Sequence, residues 1–306
     1  MPLAPIALFT YNRPEHTRKT IHALANNELA AESALFIFSD APRDDKANKG
    51  VCDVRDFIKN LDGFCTVTII ERSENYGLSR SIISGVSDLV AEFGRVIVLE
   101  DDLVTSPHFL SYMNNALNYY ADEERVISIH GYVYPVKEEL PETFFLRGAD
   151  CWGWATWKRG WKLFEPDGSQ LLQSLKEKHL ERSFDLDGAY SYTKMLKRQT
   201  RGENNSWAVR WHASAFLTNS LTLYPGKSLV QNIGYDASGV NCAAIDHFNI
   251  ELSDKPIIVT KIAVEEDTIA LSALKKYFRS LKLSFSEKMA GSLKKRFGRI
   301  FSLFNG

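Results

Sequence analysis

The sequence predicts an α/β protein built on a mostly parallel sheet, and three observations carry that prediction. Short continuous apolar runs recur at Pro5–Thr10, Ala34–Phe38, Thr66–Ile70 and Val96–Leu99. Between them lie stretches whose apolar residues repeat at helical spacing, and the last run empties directly into three acids, Glu100, Asp101 and Asp102. Runs of this length read as strands buried on both faces of a sheet. Strands alternating with helices mean βαβ units with right-handed crossovers.

In chain order, Tyr11-Asn-Arg-Pro14 breaks the first strand. Pro14 at a first helical position opens a helix carrying Thr17, Ile21 and Leu24. The second strand ends in Ser39-Asp40, and after a polar loop rich in Asp and Lys a helix runs through Val54, Phe57, Ile58 and Leu61. The third strand leads to a helix from Leu78 to Phe93 with apolar residues at 78, 82, 86, 89 and 90. After the fourth strand and its acids, Ser106 can cap a helix that Pro107 opens, and Val126–Ile129 is a further strand. The second half loses this rhythm. Helical patterns lie near Leu171–Leu180 and Ala189–Arg198 and from Trp207 to Leu217, with short strands at Leu221–Tyr224 and Ile257–Val264. It reads as α+β material completing the same sheet. The expected organisation is one domain, 1–267, with halves 1–125 and 126–267, followed by a tail, 268–306.

Composition bounds the function. The chain has 306 residues with ordinary apolar and charged fractions, enough for a sizeable core. Its net charge of −1 is unevenly spread: nine of 37 Lys/Arg but one of 38 acids lie from Thr268 onward, leaving the body near −9 and the tail near +8. Four scattered cysteines, Cys52, Cys65, Cys151 and Cys242, fit a reducing cytoplasm and argue against zinc or a disulfide framework. No basic leader precedes the first apolar run and no run of about 18 apolar residues exists, so neither a signal peptide nor a membrane span is expected. In the tail, Leu271, Leu274, Phe278, Leu281 and Phe285 face away from Lys275, Lys276, Arg279 and Lys282. A basic amphipathic helix of this kind suits an anionic membrane interface; the alternative is a helix docked on its own domain. Basic residues concentrated in the tail beside an acidic body argue against nucleic-acid binding.

The acids define the chemistry. Three adjacent carboxylates repel one another and are retained most easily when a cation neutralises them. Oxygen-only ligands suit Mg2+ or Mn2+, which take further ligands from substrate phosphates. Open α/β sheets bind ligands at the carboxyl edge of the strands. Thr10, Asn12 and Arg13 after strand one, Asp40 after strand two, and Asn75, Gly77 and Arg80 after strand three all belong to that edge. Together with the acids they describe a nucleotide site. There is no GxxxxGK[ST], no GxGxxG after strand one and no GxSxG, which excludes P-loop, standard dinucleotide and hydrolase-elbow sites.

Ala7-Leu-Phe-Thr-Tyr-Asn-Arg-Pro14, Asn75-Tyr-Gly-Leu-Ser-Arg80, Val98-Leu-Glu-Asp-Asp102 and Gly153-Trp-Ala-Thr-Trp157 resemble the family-2-type, GT-A fold glycosyltransferases of bacterial surface-polysaccharide synthesis. The resemblance covers roughly residues 5 to 245. It implies a GT-A fold, a nucleotide-sugar donor with UDP favoured, Mn2+ or Mg2+ on Asp102, and Glu100 and Asp101 toward the sugar, ribose or water. It further implies Thr10–Arg13 and Asp40 on base and ribose, and Asn75–Arg80 on the diphosphate. The acceptor is expected to be a lipid-linked glycan, with the enzyme held by its tail at the cytoplasmic face of the plasma membrane.

Two departures from the family pattern stand out. Trp207-Ala-Val-Arg-Trp211 carries Ala208 where relatives carry the acid acting as base, and Asn241 stands where relatives often have His. An inverting transfer needs a carboxylate to take the acceptor proton. Asp150 is the candidate, with Glu203 and Asp236 behind it. Trp154 and Trp207, with Asp236, are expected on the acceptor side, since indoles can stack on sugars. The rival readings are a sugar-phosphate nucleotidyltransferase, whose glycine-rich loop after strand one is missing here, and a non-catalytic glycan- or membrane-binding module.

Overall fold

The structure is a computed structural model and describes residues 2–236 and 246–282. Asn241 and residues 283–306 of the predicted tail lie outside the described residues. The first half follows the predicted alternation: β1 (Ile6–Thr10), α1 (Pro14–Ala25), β2 (Ala34–Ser39), α2 (Asp45–Ile58), β3 (Thr66–Glu71), α3 (Gly77–Phe93) and β4 (Arg95–Glu100). Local chemistry sets the boundaries. Pro14 occupies the first turn of α1, the Asp44 carboxylate accepts from the Ala47 amide at 3.1 Å to cap α2, and Gly94 at φ 75° stops α3. β1 pairs in parallel with β2 and β4, and β2 with β3. The central strand β1 is buried along its whole length, whereas edge strand β3 leaves Thr66, Thr68 and Glu71 exposed.

The second half adds β5 (Leu103–Thr105), α4 (Phe109–Tyr119), β6 (Val126–His130), β7 (Thr143–Arg147), β8 (Trp154–Trp157), α5 (Lys158–Trp161), α6 (Gly168–Glu177), α7 (Glu181–Phe184), α8 (Tyr192–Thr200), α9 (Trp207–Leu217), β9 (Leu221–Pro225) and β10 (Val230–Asn232). One eight-stranded sheet spans both halves in the order β3-β2-β1-β4-β8-β6-β9-β7, and β5 and β10 form a separate ribbon. β8 runs antiparallel to both its neighbours, β4 and β6, and β7 runs antiparallel to β9. The other six strands share one direction. This is the mostly parallel, helix-flanked α/β sheet that the sequence predicts.

Alternation along the strands divides the core. Ile6, Leu8, Ile97 and Leu99 face α1 and α4, while Ala7, Phe9, Val96 and Val98 face α3 and α9. The second face is filled by tryptophan. Trp154, Trp161, Trp207 and Trp211 are all buried and pack on one another, with Trp154 and Trp207 stacked at 5.4 Å. Trp154 and Trp207, expected at an acceptor surface, are therefore core residues. Glycine lets the residue before β8 pass close under the β5–β10 ribbon: a Cβ on Gly153 (φ +65°) would meet Val230 at 2.6 Å.

Residues 257–264, expected as a strand, form none. Their backbone is tied instead by side chains: Tyr120 donates to the Thr260 carbonyl, Arg125 to that of Val264, and the Ile258 amide donates to Glu142. Residues 268–282 are helical, and Asp267 caps them by accepting from the Ala270 amide at 2.8 Å. Ala270, Leu274 and Phe278 are buried against Val133, Phe144, Leu146, Ala189 and Tyr224, and Ala273 is buried as well. Lys275 pairs with Asp187 at 2.7 Å, Lys276 with Glu138 at 2.9 Å, and Lys282 donates to the Gly188 carbonyl. This first part of the predicted tail has its apolar face covered by the chain's own body. Among the described residues no helix is long and apolar enough to cross a membrane.

Candidate active site

The carboxyl ends of β1, β2, β4, β6 and β9 share one edge with the amino end of β8. At its centre β4 delivers the acids. Glu100 is half-buried, and Asp101 and Asp102 are buried at 5% and 9% exposure. Their partner is Arg13, whose Nη2 donates to Asp101 Oδ1 at 2.5 Å and to Asp102 Oδ2 at 2.7 Å. The Tyr11 amide donates to Asp101 Oδ2 at 3.3 Å. Burial, then the charges of Asp102 and Asp101, push the Glu100 carboxyl up to about 8 against the pull of Arg13. Burial also raises Asp101, with Arg13 opposing. Burial disfavours the Arg13 charge, but Asp101 and Asp102 outweigh it and its pKa is raised. Asp101 and Asp102 thus share one guanidinium, with the Glu100 carboxyl beside them, and the turn is short of positive charge.

A second segment closes on the acids. The Ile233 amide donates to the Asp102 carbonyl at 2.8 Å, and the Gly234 amide to Asn232 Oδ1 at 2.8 Å. A Cβ on Gly234 would meet Asp102 Oδ2 at 2.1 Å and Arg13 Nη1 at 3.2 Å, so only glycine leaves this carboxylate its space. His16 on α1 lies 3.2 Å from Asp236. Asp236, expected on the acceptor side, is thereby joined to the first helix of the other half.

The remaining donor-side residues separate by role. Asp40 is buried, and its Oδ1 accepts from the amides of Ala41 and Tyr76 at 2.9 and 2.8 Å. Its Oδ2 accepts from the Gly77 amide at 2.8 Å and from Asn75 Nδ2 at 3.1 Å. With both oxygens so engaged, Asp40 fixes the loop that starts α3, and Gly77 supplies the φ of +67° that loop requires. Asn75 also donates to the Ala41 carbonyl at 2.6 Å. Arg80 is exposed, lies 3.6 Å over the Tyr76 ring and pairs with Glu74 at 2.9 Å. Thr10 Oγ1 is buried at the end of β1 with no partner among the described residues. Asn12 is half-buried, its carbonyl pressed against α2 so closely that a Cβ on Gly50 would meet it at 2.4 Å.

Across β4, the segment before β8 carries Asp150, Cys151 and Trp152. Tyr224 Oη donates to Asp150 Oδ2 at 3.0 Å. Burial, then the charges of Glu100, Asp150 and Asp102, hold the Cys151 thiol well above its ordinary range, so this residue lies within the field of both acid groups. Buried His130 and His212 also feel Asp150; burial pushes His130 down to about 4 and lowers His212, and the nearby negative charge opposes both shifts. The ring of Trp152, half-buried, packs against Tyr132 at 4.7 Å, Phe248 at 5.5 Å and Tyr235 at 5.6 Å. Trp152 is thus the tryptophan that reaches this edge. Glu203, the reserve base, pairs with Arg198 beyond α8. The pairing of Arg13 with the acids and the roles of Tyr224 and His130 were not read from the sequence.

The residues present fit a hard divalent cation. The donors are oxygens, negative charge is in excess, and Gly234 keeps space beside Asp102. Among the described residues no group of three or more His, Cys, Asp or Glu converges as a closed ligand set. Mg2+ and Mn2+ need none, because substrate phosphates and water complete their shell.

No protein-family model and no curated protein matches the chain. Among solved structures it is similar to the mannosyltransferase PcManGT from Pyrobaculum calidifontis in complex with GDP-Man and Mn2+, at 14% identity and TM-score 0.32 over 43% of this chain and 36% of that one. It is similar to S. aureus TarS 1–349 in complex with UDP-GlcNAc, at 14% identity and TM-score 0.32 over 45% of this chain and 37% of that one. For TarS 1–349 in a further crystal structure the values are 11% and 0.39, over 74% of this chain and 59% of that one. The chain therefore matches less than two thirds of the length of each.

Proposed function

We propose that the chain is a metal-dependent glycosyltransferase that moves a sugar from a nucleotide donor, UDP-linked by preference, to a hydroxyl of a lipid-linked glycan. The observation that carries this reading is the meeting, at one sheet edge, of a cation-deficient acid turn with a further carboxylate, Asp150, on the segment that leads into β8, the strand next to β4. Asp102 would hold the cation, with Glu100 and Asp101 toward the sugar and ribose. The cation, when bound, supplies charge stabilisation to the departing nucleoside diphosphate. Thr10, whose hydroxyl has no partner among the described residues, and Asn12 line the nucleotide side. Asn75 and Gly77, fixed by Asp40, shape the loop beside it, and exposed Arg80 is free to exchange Glu74 for a phosphate. Arg13 holds Asp101 and Asp102 in place.

Asp150 takes the acceptor proton, a role for which Ala208 offers no substitute, and Tyr224 orients the carboxylate through its hydrogen bond. Residues 283–306, with Lys294, Lys295, Arg296 and Arg299 among Leu and Phe, would hold the enzyme at an anionic membrane face. The testing experiment is thermal-shift binding with UDP, GDP, CMP and dTDP, each with and without Mn2+. Stabilisation by one nucleotide only when metal is present supports the donor and cation assignments. No metal-dependent shift with any of them favours a binding module on the same fold.

A further inference from the structure

The helix at 268–282 does more than dock. Its Tyr277 ring lies 5.9 Å from Tyr134, and Phe278 lies 4.9 Å from Tyr134 and 4.7 Å from Tyr190. Tyr134 is 6.3 Å from Trp152 and 6.1 Å from Phe248, which joins the helix to the tryptophan beside Asp150. Tyr134 and Tyr190 are close enough to Asp150 to feel its charge. A run of half-buried rings, Trp152, Phe248, Tyr134 and Tyr277, therefore extends from the candidate base to the C-terminal helix, and half-buried Tyr190 joins it through the buried ring of Phe278. Both ends of this run are held: Trp152 packs against the core and directly precedes Gly153 and β8, while Lys275, Lys276 and the Tyr277 hydroxyl, which donates to the His247 carbonyl, clamp the helix.

Rings that serve only as core are covered, as Trp154, Trp207 and Trp211 are. Rings left partly open beside a carboxylate offer flat apolar surface with polar edges, the combination that receives a pyranose: its C–H face on the ring, its hydroxyls on the phenol and carboxylate oxygens. We propose that these rings form a saccharide-binding wall for the acceptor and that the helix at 268–282 completes it through Tyr277. The inference rests on the glycosyltransferase reading for the word acceptor, but saccharide binding at the wall is testable without it. It also gives the C-terminal region two jobs, divided near residue 282: a wall of the site before it and a membrane-facing segment after it.

The test uses the full chain, a printed array of bacterial oligosaccharides, and the variants Tyr277→Ala, Tyr277→Leu and Tyr277→Phe. Tyr277→Leu keeps apolar bulk without a flat face, and thermal melting shows which variants remain folded. Binding of at least one oligosaccharide is expected, weakened about tenfold by Ala and Leu and little changed by Phe, in line with the size of an aromatic contact. The shift produced by UDP with Mn2+ should be the same in all four proteins. Equal binding by the natural chain and Tyr277→Leu, or no oligosaccharide bound by the natural chain, overturns the wall. Loss of the nucleotide shift in the natural chain would instead overturn the transferase reading, leaving any saccharide binding in place.

Discussion

Protonation of His130 should weaken the fold across a defined pH window. The ring is 1% exposed, lies edge-on to Tyr224 at 5.1 Å, and its Nδ1 has no partner among the described residues. Burial holds its pKa down at about 4, with Asp150 opposing, against 6.5 for an ordinary histidine. Because the folded value is the lower one, the folded ring stays neutral while the unfolded chain takes up a proton as pH falls through 6.5. Stability is therefore unaffected above about pH 7 and declines by ~1.4 kcal/mol per pH unit below 6.5. The loss is complete near pH 4 at about 3 kcal/mol. His212, lowered by burial in the same direction, adds to the decline. The assay is urea unfolding of the natural chain and His130→Phe at pH 7.5, 6.5, 5.5 and 5.0. Carboxylates common to both proteins cancel in the comparison. The natural chain should lose about 2 kcal/mol more than the variant between pH 7.5 and 5.0. Parallel curves would refute the assignment of a neutral buried imidazole at this position.

Replacing Asp102 by Asn should abolish both turnover and the metal-dependent nucleotide shift while leaving the melting temperature within a few degrees; retained metal dependence would remove Asp102 from the cation site. Gly234→Ala places a methyl where Asp102 Oδ2 sits, an overlap that should cost about 1–3 kcal/mol and displace the loop, read as a lower melting temperature together with weakened nucleotide binding. A chain ending at residue 282 should keep its stability and lose binding to anionic vesicles, whereas one ending at 267 should be strongly destabilised. Phe278 alone, 2% exposed, is worth about 3–5 kcal/mol when truncated to Ala. Equal stability of the two shortened chains would contradict the docked helix.

The strands β1 to β4 were legible because each is a continuous apolar run, a pattern that burial on both faces imposes directly on sequence. β8 was not, because Trp154-Ala-Thr-Trp157 reads as an aromatic cluster and nothing local signals a strand of reversed direction inserted beside β4. The expected strand at 257–264 failed for the complementary reason: short apolar runs are present, but Tyr120, Arg125 and Glu142 bond its backbone in place of a neighbouring strand. The acid turn and its edge were readable from one short stretch. Its counterion was not, since Arg13 reaches the acids across 88 and 89 residues of chain. Asp40 likewise looked like a ligand-facing acid until its four bonds to residues 41 and 75–77 showed it bracing a loop. Tryptophan at Trp154 and Trp207 suggested sugar contact, but an indole fills a core as readily as it lines a groove.

The reversal of β8 fixes a length. The acid turn leaves the end of β4, and Asp150 enters just before the start of β8, whose Trp154 is hydrogen-bond register partner to Val98. Neighbouring strands keep a spacing of about 4.8 Å that cannot change without breaking the ladder. The two carboxylate-bearing turns are consequently mounted on adjacent strands, Asp102 two residues past the end of β4 and Asp150 four residues before the start of β8. The sheet holds the two mounts at one spacing, and any adjustment of the gap between the acids has to be made within those two short turns.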